Sequence, residues 1–114
     1  NKLIALSCWK LEDLESRDAN KAFEKAYKIY EYAKLKGGLR GIVVVIVNQD
    51  KLQNMTNIAI TKDGITKSIS LKSEDLKSSF NNNFNVVFDS NGKTIYKNLS
   101  SSKVFESISN LITR

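Results

Sequence analysis

Apolar and polar positions repeat with two different periods along the chain, and each change of period marks an element. Leu3-Ile4-Ala5-Leu6 is a short continuous apolar run, the pattern of a strand covered on both faces. From Ala19 to Ala33 the residues Ala19, Ala22, Phe23, Ala26, Tyr27, Tyr30 and Ala33 recur at three- and four-residue steps. That spacing predicts a helix with one sheet-packing face, and Gly37-Gly38 is expected to end it, because a left-handed residue costs least at glycine. "GIVVVIV", Gly41 to Val47, is apolar and mostly β-branched and predicts a central, doubly covered strand. Asp50 and Gln53 have the spacing of a capping box. They open a second helix carrying Leu52, Met55 and Ala59 and closed by Asp63-Gly64. Ile65 to Leu71 alternates, as a half-buried edge strand does. Ser73-Glu74-Asp75 has a hydroxyl cap followed by acids and starts a short third helix, with Leu76 and Phe80 as its apolar pair and Asn81-Asn82-Asn83 as its break. "FNVVF" and "KTIYKNL" flank Asp89-Ser90-Asn91-Gly92, a β-hairpin signal. A last helix places Val104, Phe105, Ile108, Leu111 and Ile112 on one face.

The order is β-α-β-α, a short β-α excursion, then β-β-α. The fold class expected is α/β, a mixed central sheet flanked by helices on both faces. The "VVVIV" strand should run parallel to "LIAL", and "FNVVF" antiparallel to it. Right-handed crossover places the first helix on one face of the sheet. The last helix is expected to join it there, with the second helix on the other face. Residues 1–114 are expected to form one domain. Because the chain opens directly on a strand, it reads as the mature or trimmed part of a longer protein.

Composition mostly removes options. The formal charge is +6, but the lysines are scattered among acids, as in "KLEDLESRDANKAFEK". With no basic run interleaved with aromatics, they read as a solvated surface and not as a nucleic-acid site. No apolar stretch approaches the ~18 residues of a membrane span. A single cysteine makes no internal disulfide and no zinc site, so no metal and no cofactor is expected. The lack of histidine excludes Ser-His and Cys-His nucleophilic catalysis within the chain. "KGGLRG" follows a helix and precedes a strand, the wrong order for a dinucleotide-binding turn.

Candidate chemistry gathers where the first strand meets the first helix, in "CWKLEDLESR", Cys8 to Arg17. Asp13 has the place and chemistry of a helix N-cap, and Ser16 lies three residues on. Glu12, Asp13 and Glu15 are adjacent acids on one turn, which mostly point apart and so make a weak acid/base or cation site. Cys8 at the end of a strand is expected beside the core, where a thiol behaves as a small hydrophobe. Trp9 is expected to cover the helix start, with the helix tyrosines packed on the sheet and Tyr32 exposed.

This order, with these residues at the junction, resembles the thioredoxin fold, and more closely the thioredoxin-like and peroxiredoxin-like proteins of the TlpA/ResA kind from bacterial cell envelopes. "LIALSCW" is similar to the family's first strand and its tryptophan, "VVVIVNQDK" to its second, and "VVFDSNGKTIYKN" to its closing hairpin. The resemblance implies a Cys-x-x-Cys redox motif at the helix start and a cis-proline before the hairpin. Here Asp13-Leu14-Glu15-Ser16 occupies the dithiol slot, the chain has no proline, and Asn83-Phe84 falls near the proline position. Ser16-Arg17-Asp18-Ala19-Asn20 is similar to divergent envelope relatives that also lack both features.

The resemblance therefore implies a thioredoxin-fold domain that has lost thiol–disulfide exchange and serves as a binding or accessory module of the periplasm or cell envelope. Its expected binding surface is the exposed region around Trp9, Asp13, Ser16, Arg17, Asn83 and Phe84, with a protein or peptide as partner. Two alternatives stand beside it. One is a single-cysteine peroxidase or reductase using Cys8 with Arg17 nearby. The other is a structural domain of a larger envelope protein that binds nothing itself.

Overall fold

The computed structural model describes residues 1–51, 55–72 and 85–113. The expected third helix, Ser73 to Phe80, lies outside the described residues, as do Leu52, Gln53, Asn83 and Phe84.

β1 (Leu3–Trp9) lies at the centre of a five-stranded sheet. β4 (Ile42–Asn48) runs parallel to it, with Leu3 opposite Ile42 and Trp9 opposite Asn48. β5 (Ile69–Lys72) continues the sheet parallel to β4. On the other side β6 (Val86–Phe88) pairs antiparallel with β1, and β7 (Thr94–Tyr96) antiparallel with β6. The expected directions of "VVVIV" and "FNVVF" are those found.

α1 (Leu14–Tyr30), α2 (Thr56–Lys62) and α3 (Ser101–Ser109) complete the described fold. Strand side chains alternate between faces. Leu3, Ala5 and Trp9 of β1 and Ile42, Val44 and Ile46 of β4 pack with Ala19, Phe23 and Ala26 of α1 and Val104 and Ile108 of α3 in one cluster. Leu6, Cys8 and Val47 form a second, smaller cluster with Val45 and Phe88. The stack of Tyr30 on Phe105, 5.6 Å between ring centres, and the 2.9 Å Tyr30–Ser109 hydroxyl contact join α1 to α3 as expected.

Three sequence expectations need correction. α2 does not cover the opposite face: Ala59 belongs to the larger cluster, with Ile60 packed against it. The reason is topological. β1, β4 and β5 step in one direction across the sheet, so two right-handed crossovers deliver α1 and α2 to the same face. α2 also starts at Thr56 and not at Asp50, whose carboxylate accepts instead from the Leu11 N–H and the Asn48 amide, both at 2.8 Å. Finally, α1 ends at Tyr30, before the two glycines. Lys34–Leu35 (β2) and Leu39–Arg40 (β3) form a small hairpin, and Gly37 (φ +80°) and Gly38 (φ +77°) turn its tip. The left-handed residues are used to reverse the chain, not to cap the helix.

The edge strand is shorter than its alternation suggests. Ile65 is in the core, but residues 66–68 do not pair with β4, because a carboxylate from α1 takes their N–H groups.

Candidate functional site

Asp13 is the N-cap of α1, with extended backbone (φ −94°, ψ 98°). Its carboxylate accepts from the Ser16 N–H at 3.3 Å, and its carbonyl accepts from the Arg17 N–H at 3.1 Å. Ser16 closes the turn: its hydroxyl donates to the Asp13 carbonyl at 2.8 Å and accepts from the Lys10 N–H at 3.2 Å. The turn is thus fixed by a carboxylate and a hydroxyl three residues apart: Asp13 satisfies an N–H that the helix start leaves open, and Ser16 ties the preceding Lys10 to that start. Asp13 stays exposed, and Ser16 is buried.

Beside this turn is a cleft of about 270 Å³, lined by Cys8, Asp13, Glu15, Ser16, Asn85, Asn98, Leu99 and Ser100. The chain on either side of the β6–β7 hairpin forms its second wall. Asn85 (φ 53°) and Asn98 (φ 54°) both hold left-handed backbone there, a conformation asparagine tolerates better than most residues. The Asn85 amide donates to the Leu99 carbonyl at 2.6 Å, and Leu99 donates back to the Asn85 carbonyl at 3.4 Å. Its side-chain oxygen accepts from the Ser7 hydroxyl at 3.0 Å. Ser7 also meets the Asn20 side chain at 2.7 Å. The Ser7 hydroxyl thus faces two side-chain oxygens, those of Asn20 and Asn85, and its single proton is shared between them. The buried Ser7–Asn20–Asn85 group fixes the second wall to β1 and α1.

Glu15 spans the cleft. Its carboxylate accepts from the Ser101 N–H at 2.6 Å and the Ser101 hydroxyl at 2.8 Å. Ser100, the N-cap of α3, makes no side-chain cap bond, so a residue from the first turn of α1 caps α3 instead. Two helix starts therefore converge on the cleft, each met by a carboxylate, and among the described residues no cation lines it.

The expected site residues separate. The structure brings Asp13, Ser16 and Cys8 together on the cleft. Trp9 does not line an exposed surface: it is 1 % exposed, in the larger core cluster, with Nε1 lacking a hydrogen-bond partner among the described residues. Its place in an inward-facing column with Leu3 and Ala5 puts it there. Arg17 faces Asp63 at the end of α2, donating to both carboxylate oxygens at 2.8 and 2.9 Å, and also reaches the Leu11 carbonyl at 3.3 Å. That pairing raises the Arg17 pKa and lowers that of Asp63. Asn83 and Phe84 lie outside the described residues.

Cys8 is 1 % exposed, and burial pushes its thiol pKa up. Arg17, the nearby cation that would favour a thiolate, is engaged by Asp63 instead. Among the described residues no three potential metal ligands converge.

Sequence reasoning did not single out Ser7, Asn85 or Glu24. Each had a signal: a polar residue inside an apolar strand, or on the apolar stripe of a helix. Glu24 and Asn20 are four apart on α1, and both are buried. The Glu24 carboxylate takes five hydrogen bonds: from Thr66 N–H and hydroxyl, Lys67 N–H, and Ser68 N–H and hydroxyl. Lys28 stands 3.4 Å away. Burial pushes the Glu24 pKa up, but the bonds from Ser68, Thr66 and Lys67 outweigh it and lower the pKa from 4.5 to about 2.

A parallel β-α-β unit, an antiparallel hairpin, a closing helix and a cleft at the first helix start define a thioredoxin-like fold. The comparisons agree. The structure is similar to the thioredoxin domain of a thiol-disulfide oxidoreductase from Bacteroides vulgatus, with TM-score 0.72 and 16 % identity over 98 % of this chain and 80 % of that one. It is also similar to a thiol:disulfide interchange protein from Bacteroides sp., with TM-score 0.71 and 18 % identity over 97 % and 73 %. A secreted disulfide oxidoreductase of Mycobacterium tuberculosis matches with TM-score 0.68 and 10 % identity over 96 % and 82 %. At these identities the likeness is one of fold. No protein-family model and no curated protein matches the sequence.

Proposed function

We propose that this thioredoxin-fold domain is a binding or accessory module of the bacterial cell envelope that does not exchange thiols and disulfides. The observation carrying the reading is the helix start. Asp13 and Ser16 stand where the resemblance expects the two sulfurs, and both are committed to holding the first turn. Neither group can cycle through a disulfide. The cleft beside them nevertheless persists, with a second wall built from Asn85 and Leu99. Its chemistry suits an extended polypeptide: amide, hydroxyl and apolar side chains line it, the Asp13 carboxylate is exposed, and Leu14, next to Asp13 in the chain, is 69 % exposed. The envelope assignment rests on fold analogy to structures that include a secreted disulfide oxidoreductase and a secreted thiol-disulfide isomerase.

The competing reading, a single-cysteine peroxidase or reductase at Cys8, is opposed by the buried thiol and by the engagement of Arg17. A purely structural domain of a larger protein predicts an inert cleft. Titration of the labelled chain with reduced, carboxymethylated ribonuclease, an unfolded polypeptide without free thiols, separates these. Binding at the cleft shifts the amide signals of Asp13, Ser16, Asn85 and Ser100, and Leu14→Glu with Asp13→Lys abolishes the shifts. A spectrum unchanged through saturating polypeptide defeats the binding reading.

A further inference from the structure

The β2–β3 hairpin lies at the far end of α1 from the cleft, about 25 Å away along that 17-residue helix. In the antiparallel register Lys34 stands directly opposite Arg40, and Leu35 opposite Leu39. The leucines face the core at 3 % and 6 % exposure, and the two cations are both exposed. Like charges directly opposite one another destabilise a strand pair. Lys36 adjoins them in the turn. Lys2 runs alongside, because Arg40 N–H donates to the Asn1 carbonyl and Leu3 N–H to the Gly41 carbonyl.

Among the described residues, none of Lys2, Lys34, Lys36 and Arg40 makes an ion pair. The nearest acid in the chain, Glu31, is taken by Lys67 at 2.6 Å. Lys10, Lys51, Lys62, Lys72, Lys93 and Lys97 also make no ion pair among the described residues, so this end differs in gathering four such cations on one hairpin and the strand end beside it. It is also held rigidly. Lys36 N–H donates to the Leu111 carbonyl and Thr113 N–H to the Lys34 carbonyl, and Leu35 bridges to Ile112. The tip itself is bare, since Gly37 and Gly38 face open space. Ile29 (56 % exposed) and Tyr32 (74 % exposed) stand at the adjoining end of α1.

We propose that this end of the molecule is a docking surface for an anionic lipid surface. Four unpaired cations around a blunt, bare tip match a field of headgroup charges. An exposed tyrosine and isoleucine beside them suit the boundary between headgroups and acyl chains. A single-stranded nucleic acid is the less suitable partner, because it asks for a groove tracking the backbone and a row of stacking aromatics. Each cation near an anionic membrane contributes roughly a fivefold gain in partitioning, so four give a gain on the order of a thousandfold. That is reversible attraction, not permanent anchoring, and it would leave the cleft at the opposite end free.

Co-sedimentation with phosphatidylglycerol–phosphatidylcholine vesicles, compared with pure phosphatidylcholine vesicles, tests the surface. The chain is expected to pellet with the anionic vesicles only and to be released by high salt. Lys34→Gln with Lys36→Gln and Arg40→Gln is expected to lower partitioning by about a hundredfold. These side chains are exposed and unpaired, and Lys34 and Arg40 repel across the hairpin, so thermal unfolding should be unchanged or slightly raised, which separates lost docking from lost fold. Tyr32→Ser, with all charges kept, should lower partitioning by a few-fold only. Equal binding to both vesicle types, an unaffected triple variant, or tighter binding to a single-stranded oligonucleotide than to anionic vesicles overturns the proposal.

Discussion

Asp13 and Glu24 are carboxylates on the same helix, three turns apart, and they have opposite circumstances. Asp13 is exposed and takes one side-chain hydrogen bond, at 3.3 Å. Glu24 is 4 % exposed and takes five. The first holds a helix start beside a cleft. The second holds a whole loop, binding residues 66–68 to α1 and delaying the start of β5 until Ile69. A carboxylate that fixes structure is buried and saturated with donors, whereas one open to a ligand keeps lone pairs facing solvent. By that measure the cleft is a place where this fold has left polar capacity unused, and the Glu24 loop is a place where it has none to spare.

The contrast can be broken most severely at Glu24. Glu24→Ala removes the shared acceptor of three N–H groups and two hydroxyls, and should cost roughly 3 kcal/mol, read as a loss of about 10 °C in melting temperature. The acid limb comes next. The folded pKa is depressed to about 2 from 4.5, so Glu24 contributes its full stability above about pH 4.5 and loses it as pH falls toward 2. A stability decline of roughly 2 kcal/mol over that window is expected, and Glu24→Gln should flatten it in a pH series of denaturant melts. Arg17→Met removes both bonds to Asp63 and leaves that carboxylate, with 7 % side-chain exposure, to the weaker attraction of Lys21 and Lys62. It should cost about 2 kcal/mol in urea unfolding. Asp13→Ala should cost only about 1 kcal/mol, the ordinary worth of an N-cap, and Asp13→Asn less still. If Asp13→Ala proved as damaging as Glu24→Ala, the distinction between a spare and a saturated carboxylate would be lost.

The sheet was legible in the sequence wherever a side-chain period was strong and local. β1, β4 and the β6–β7 hairpin announce themselves through apolar runs and the Asp89-to-Gly92 turn, and their relative directions follow. What stayed hidden was decided by partners far apart in the chain. The Glu24 loop joins residues 42 to 44 apart, and Glu15 reaches Ser101 across 86. Gly37-Gly38 carried the right message, a left-handed turn, but nothing local told a helix end from a hairpin tip until Leu35 and Leu39 were seen docked in the core. Of the candidate site, the capping roles of Asp13 and Ser16 were readable from chemistry and spacing alone. The inward turn of Trp9 and the pairing of Arg17 with Asp63 were not, because each depends on which sheet face a neighbouring element covers.

Insulin reduction in the presence of dithiothreitol tests the central claim most directly. With Asp13 and Ser16 at the helix start and Cys8 buried, the chain should add nothing to the rate given by the reductant alone. Catalysed insulin precipitation that disappears on Cys8→Ser would contradict the account.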